Sequence, residues 1–190
     1  YVGALFVNDL LLKNDPSSYP GALPMSAIHL IGASNVPQPA IVVGFRSFLA
    51  KGCTQTASLL CTVEIADTPL HTGQGMHGSF SRADTRNFMA AIGPDFRKGF
   101  VDNTPVSNAD IAPTLAHILG INLSGPGELK GRIATEALSG GAPVKAVPGV
   151  LAAPAGPGGV RTVLEYQDAG GVRYFDAAGI PGRTVGLKTK

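Results

Sequence analysis

The chain has 190 residues, 44% of them hydrophobic and 15% charged, which allows a sizeable core in one domain. Its net charge of +2 comes from scattered basic residues that form no block and do not interleave with aromatics, so a nucleic-acid polymer is not expected as a partner. No apolar run reaches the length of a membrane span and no leader pattern is visible, so no membrane span is expected either.

Tyr1 to Val7 is apolar, and Asn8 to Pro24 reads as loop, with Asp15-Pro16 and Pro20-Gly21 as turn signals. Ala22 to Gly32 fits either a strand or a short helix. His29 within it has no polar sequence neighbour and reads as structural. Ala40–Phe45 is β-branched and bounded by proline and glycine, which predicts a core strand, and Leu60–Ile65 predicts a strand with one wet face. The two are expected to pair as a hairpin. Cys53 and Cys61, the only cysteines, flank Thr54–Leu60 between them, placed to clip that hairpin with a disulfide. Two separate buried thiols are the alternative; a metal pair is disfavoured because there is no second cysteine pair. A bridge implies an oxidising compartment, periplasmic or secreted.

A glycine-rich loop follows Asp67-Thr68-Pro69. Asp67, His71 and His77 supply oxygen and imidazole donors at spacings compatible with a local zinc site, although Pro69 removes the helix that would give the first spacing its geometry. His77 lies two residues after Gly75 and directly before Gly78, with a backbone free to bend and little bulk beside its ring. Ser79, Ser81 and Arg82 follow as donors for an anion, or as ordinary turn residues. Phe88–Ile92 is a short apolar run closed by Gly93-Pro94 and predicts a buried strand. A capped helix is expected over Ala109–Leu119, starting near Asn108 because Pro113 is tolerated only near the first turn. On it Ile111, Leu115, Ile118 and Leu119 share one face, while Asp110, Thr114 and His117 share another, which makes His117 a surface residue.

The His77-Gly78 pair, the run ending Gly93-Pro94-Asp95-Phe96, and Asp110-Ile111-Ala112-Pro113-Thr114-Leu115 with Leu119-Gly120-Ile121 resemble the C-terminal part of the alkaline phosphatase superfamily. Within it the nucleotide pyrophosphatase/phosphodiesterase branch is the nearest match. The resemblance covers roughly residues 40–138. It implies an α/β, alkaline-phosphatase-like mixed sheet with flanking helices. It also implies a site of two metal ions, usually zinc, about 4 Å apart, that grips a phosphate ester or nucleotide substrate and activates a Thr or Ser nucleophile. Only the late His-Gly ligand carries over, onto His77. The family's Asp-His-Gly pair has no match, because Ile28, Leu70, Met76 and Ala116 precede the four histidines. No catalytic nucleophile is placed. The chain is therefore expected to be inactive alone and to need the N-terminal portion of the same protein as its partner; Tyr1 in place of Met agrees with a processed or truncated piece. A catalytically silent binding or structural domain, a sulfatase and a phosphomonoesterase are the alternatives. Residues 1–138 are expected to complete the α/β domain, 139–159 to form a Gly/Pro/Ala-rich linker, and 160–190 a β-hairpin extension with its turn at Asp168–Gly171.

Overall fold

The computed structural model describes residues 1–32, 35–54, 59–66, 69, 71, 74, 78–124 and 130–189. Among these residues the architecture is mixed α/β, with three small sheets and few helices, the α-helices being α1 (Asp9–Asn14), α2 (Arg82–Thr85) and α3 (Ile111–Ile118). The chain divides into two compact units, one of Tyr1–Asn87, Val150–Glu165 and Phe175–Lys190, the other of Phe88–Gly149 and Tyr166–Tyr174.

The first unit is built on β1 (Val2–Val7), whose residues Ala4, Phe6 and Val7 are buried. It pairs in parallel with β2 (Leu23–Pro24) and antiparallel with β3 (Ile41–Phe45), from Val7↔Ile41 to Val2↔Phe45. Phe6, Val7, Met25, Val163 and Leu164 form the apolar centre, and each such side chain stabilises by about 1.5–3 kcal/mol when removed from water. Thr162, fully buried among them, accepts the Leu5 N–H on Oγ1 at 3.0 Å, which satisfies a polar atom that would otherwise be orphaned. The ambiguous stretch 22–32 is both things in turn: β2, then a 3-10 turn at Met25–Ile28 that ends on His29 in the left-handed region, φ 57°. His29 is exposed, with its ring 5.3 Å from that of Phe175.

The expected strands near 40–45 and 60–65 exist, but they do not pair with each other. β1 takes the edge of β3, with Arg46 N–H donating to the Tyr1 carbonyl at 2.9 Å. The chain then resumes as β4 (Ser47–Leu49), which pairs antiparallel with β5 (Thr62–Glu64), Ser47 opposite Glu64. Cys53 and Cys61 are disulfide-bonded, with Cα atoms 6.1 Å apart, and the hairpin they clip is β4–β5.

The third sheet has the order β6 (Ala146–Ala152), β7 (Val163–Ala169), β8 (Val172–Gly179). The turn between β7 and β8 is Gly170–Gly171, φ 57° and 81°, the pair of positive values that a tight two-residue hairpin turn requires. β6 falls inside residues 139–159, where composition suggested a linker. Val163 and Leu164 of the hairpin are core residues of the first unit.

The second unit departs furthest from expectation. Phe88–Ile92 is not a strand, and Phe88 and Ile92 are 93% and 100% exposed. A short apolar run becomes a strand only where an edge is available, and among the described residues no strand pairs with it. The helix is present as a 3-10 turn at Asn108–Asp110 leading into α3 (Ile111–Ile118), started by a capping box between Ser107 and Asp110. Its faces are reversed. Asp110 and Thr114 are 2% and 6% exposed, whereas Ile111, Leu115 and Leu119 point outward, and His117 is exposed as expected.

Hydrogen bonds explain the reversal. The Asp110 carboxylate accepts from Ser107 N and Arg132 N, both at 2.8 Å, and from the Tyr174 hydroxyl at 2.9 Å, while Thr114 Oγ1 accepts from Ala134 N at 3.0 Å. Arg132 clasps Glu136 through Nη1 at 2.8 Å and Nη2 at 2.5 Å, donates to the Pro105 carbonyl at 2.9 Å, and lies over the Tyr174 ring. Burial, and then the Asp110 bond, push the Tyr174 phenol above its ordinary range. A buried network of this kind, bonded at every one of these groups except Arg132 Nε, outweighs the burial of three aliphatic side chains, because leaving its donors unpaired costs about 1–3 kcal/mol each.

Candidate functional site

The segment directly after His77 is fixed to the first unit at several points. Gly78, at φ 93°, turns the chain into Ser79, whose N–H donates to Asp84 Oδ2 at 2.5 Å. Ser81 N–H donates to Ser79 Oγ at 3.2 Å, and the two hydroxyls lie 3.1 Å apart. The short helix α2 (Arg82–Thr85) follows. Phe80 stacks against Phe6 at 5.0 Å and accepts the Ala178 N–H on its carbonyl at 2.9 Å, which ties the turn to core and sheet together. Arg82 pairs with Asp176, Nη1 to Oδ1 2.9 Å, and its N–H donates to the Val185 carbonyl; Thr85 Oγ1 donates to the Asp176 carbonyl.

Glu64, on β5, completes the cluster. It is half-buried and lies beside Ser79. Burial raises its carboxyl above the ordinary range, and the Asp84 charge adds to the rise, while Ser79 opposes it. Ser79 therefore lies between Asp84 and a Glu64 carboxyl whose charged form burial and Asp84 disfavour, a situation eased by a nearby proton or cation.

Three of the expected site residues come together here in a definite way. Ser79 bridges Asp84, Ser81 and Glu64. Ser81 is buried, and Arg82 is already committed to Asp176, so neither is free to grip an anion as they stand. His77 lies outside the described residues, as does Asp67 of the local zinc alternative. His71 is exposed, with its N–H donating to the Gln74 side chain at 2.8 Å. Among the described residues no group of three His, Cys, Asp or Glu side chains is arranged to hold a metal ion.

Glu64, Asp84 and Asp176 were not singled out from the sequence. Ser81-x-x-Asp84 carries the capping-box spacing that announces a helix start and a carboxylate folded back over it, which is the local signal for Asp84. Glu64 was visible only as a polar position on an alternating strand, and nothing local announces Asp176. No helix among the described residues is long and apolar enough to cross a membrane, and the disulfide is consistent with an oxidising environment. In comparisons with known proteins the chain matches no family model, no curated protein and no solved structure.

Proposed function

We propose that this chain is the C-terminal portion of a metal-dependent phosphodiesterase or nucleotide pyrophosphatase, in which His77 supplies one imidazole ligand to a two-zinc site. The nucleophile and most ligands lie outside the chain. The observation that carries this reading is the anchoring of the segment that follows His77 in sequence. Gly78–Thr85 is held by Phe80 on Phe6, by Ser79 on Asp84 and by Arg82 on Asp176, the kind of support that a neighbouring metal ligand needs.

The donor chemistry fits a dication. Glu64 and Asp84 both engage Ser79, and the raised Glu64 carboxyl marks a place where added positive charge is welcome. In this reading an acceptor on the second N–H of the imidazole fixes its tautomer, and the Ser79 hydroxyl contributes to binding the substrate phosphate. Arg82 acts as a positioning residue through Asp176. A bound zinc pair supplies Lewis-acid polarisation of a phosphate oxygen. Export to the periplasm or beyond the cell belongs to the same proposal.

The test uses the full-length protein that contains this chain: zinc content, and hydrolysis of bis(p-nitrophenyl) phosphate before and after chelation. His77→Ala should lower metal affinity or turnover by at least 10- to 100-fold, while His29→Ala and His117→Ala leave turnover nearly intact. The isolated 190-residue chain should be metal-poor and inactive. Chelator-insensitive hydrolysis, no hydrolysis at all, or an unaffected His77→Ala would remove the reading.

A further inference from the structure

Within the first unit, the loop 158–161 and the turn 180–183 enclose an open cleft of about 290 Å³. Its polar side chains are two arginines, Arg161 and Arg183, and no acidic residue lines it. Among the described residues neither guanidinium has a carboxylate partner; Arg183 Nη1 donates only to the Val2 carbonyl, at 3.3 Å, which leaves its other donors for the cleft. Arg82, Arg132 and Arg173 each have a carboxylate within 3 Å, whereas Arg161 and Arg183 line one hollow with no such partner among the described residues.

The backbone leaves room beside them. Gly158 and Gly159 adopt φ 68° and 75°, the Gly159 N–H donates to the Gly156 carbonyl at 3.0 Å, and a Cβ added at either glycine would meet nothing within 4 Å, so this side of the cleft is open space. Ile180 and Pro181 give the opposite wall an apolar surface that lowers the local dielectric.

We propose that this cleft binds a tetrahedral oxyanion, phosphate or sulfate, free or as the terminal group of a small ester. Two guanidinium forks approaching from different segments match oxygens spread in three dimensions better than the planar pair of a carboxylate. The volume lies at the small-ligand end of protein pockets, so the occupant is a small molecule. The site does not depend on the hydrolase reading, and His77→Ala should leave it unchanged.

The experiment is a titration of the ¹⁵N-labelled chain with inorganic phosphate, and separately with sulfate, acetate and chloride, at constant ionic strength so that screening is held fixed. Phosphate and sulfate should move the Gly158, Gly159 and Arg161 amide signals along saturating curves, and a phosphomonoester should compete if the natural source is an ester. Arg161→Gln should weaken binding about 10-fold or more, the scale of one charge-assisted contact. Arg183→Gln should do the same, but it also removes the bond to Val2, so Arg161→Gln decides if Arg183→Gln fails to fold. Shifts that do not saturate, that chloride reproduces, or that survive Arg161→Gln unchanged would overturn the proposal.

Discussion

The two units solve the same problem with opposite materials. The first buries Phe6, Val7, Met25, Val163 and Leu164 around β1, and its buried polar side chains, Ser47, Ser81, Thr162 and Glu165, lie outside that apolar set. The second turns its helix so that Asp110 and Thr114 face inward and joins them to Arg132, Glu136 and Tyr174, leaving Ile111, Leu115 and Leu119 in solvent. Apolar cores are forgiving of small changes in partner, whereas a polar network fails when one member is lost, since the survivors are left charged and dry. The contrast can be broken or sharpened one element at a time.

The largest effects should come from the centre of each unit. Phe6→Ala removes a ring that packs on Phe80 as well as on the core, and should cost about 3–5 kcal/mol by chemical denaturation. Glu136→Ala strands Arg132, whose side chain is 5% exposed, and should cost a similar 3–5 kcal/mol for a residue that no hydropathy argument would nominate. If Glu136→Ala is nearly neutral, the network is ornamental and the two units are alike. Cutting the Cys53–Cys61 bridge by a Cys→Ser pair should cost less, about 2.5 kcal/mol on the chain-entropy model, confined to β4–β5 and without effect on the network. Peptide mapping without reductant should recover the two cysteines as one linked species.

The pH dependence should carry opposite signs in the two units. Burial alone would raise Glu136, but the Arg132 guanidinium more than offsets it and holds the carboxyl below its ordinary value of 4.5. Its stabilisation is therefore present above that pH and is lost as pH falls through the depressed value. Glu64 is raised from 4.5 by burial and by Asp84, so its contribution is fully present below 4.5 and fades as pH rises through the raised value. Glu136→Gln should flatten the acid limb of the stability profile, and Glu64→Gln should flatten the decline on the other side. Identical profiles for both variants would contradict the assignment.

What sequence could reveal follows the same division. β3, β5 and the β7–β8 hairpin announce themselves through β-branched runs and paired glycines, and the cysteines sit beside a strand pair, because these signals are local. The start of α3 was legible in Ser107 and Asp110 for the same reason. Its orientation was not, since Arg132 and Tyr174, which draw Asp110 inward, lie 22 and 64 positions away. Phe88–Ile92 misled because apolar content says that a run wants a partner but not that one is present. Around the candidate site, Ser79, Ser81 and Arg82 were identified by nearness to His77, but what each one holds depends on Glu64 and Asp176, which arrive from distant strands.

The reversed helix is where this account is most exposed, and one comparison tests it. Asp110→Asn keeps size and shape but sets an amide against donors, and should cost about 1–3 kcal/mol; Leu115→Gln, at a position 47% exposed, should stay within about 0.5 kcal/mol of the parent. Measured side by side by urea denaturation, that ordering is the predicted result. A neutral Asp110→Asn together with a loss of about 2–5 kcal/mol for Leu115→Gln, the scale of a truncated core leucine, would mean that the helix packs by its apolar face and that the polar network does not hold the second unit.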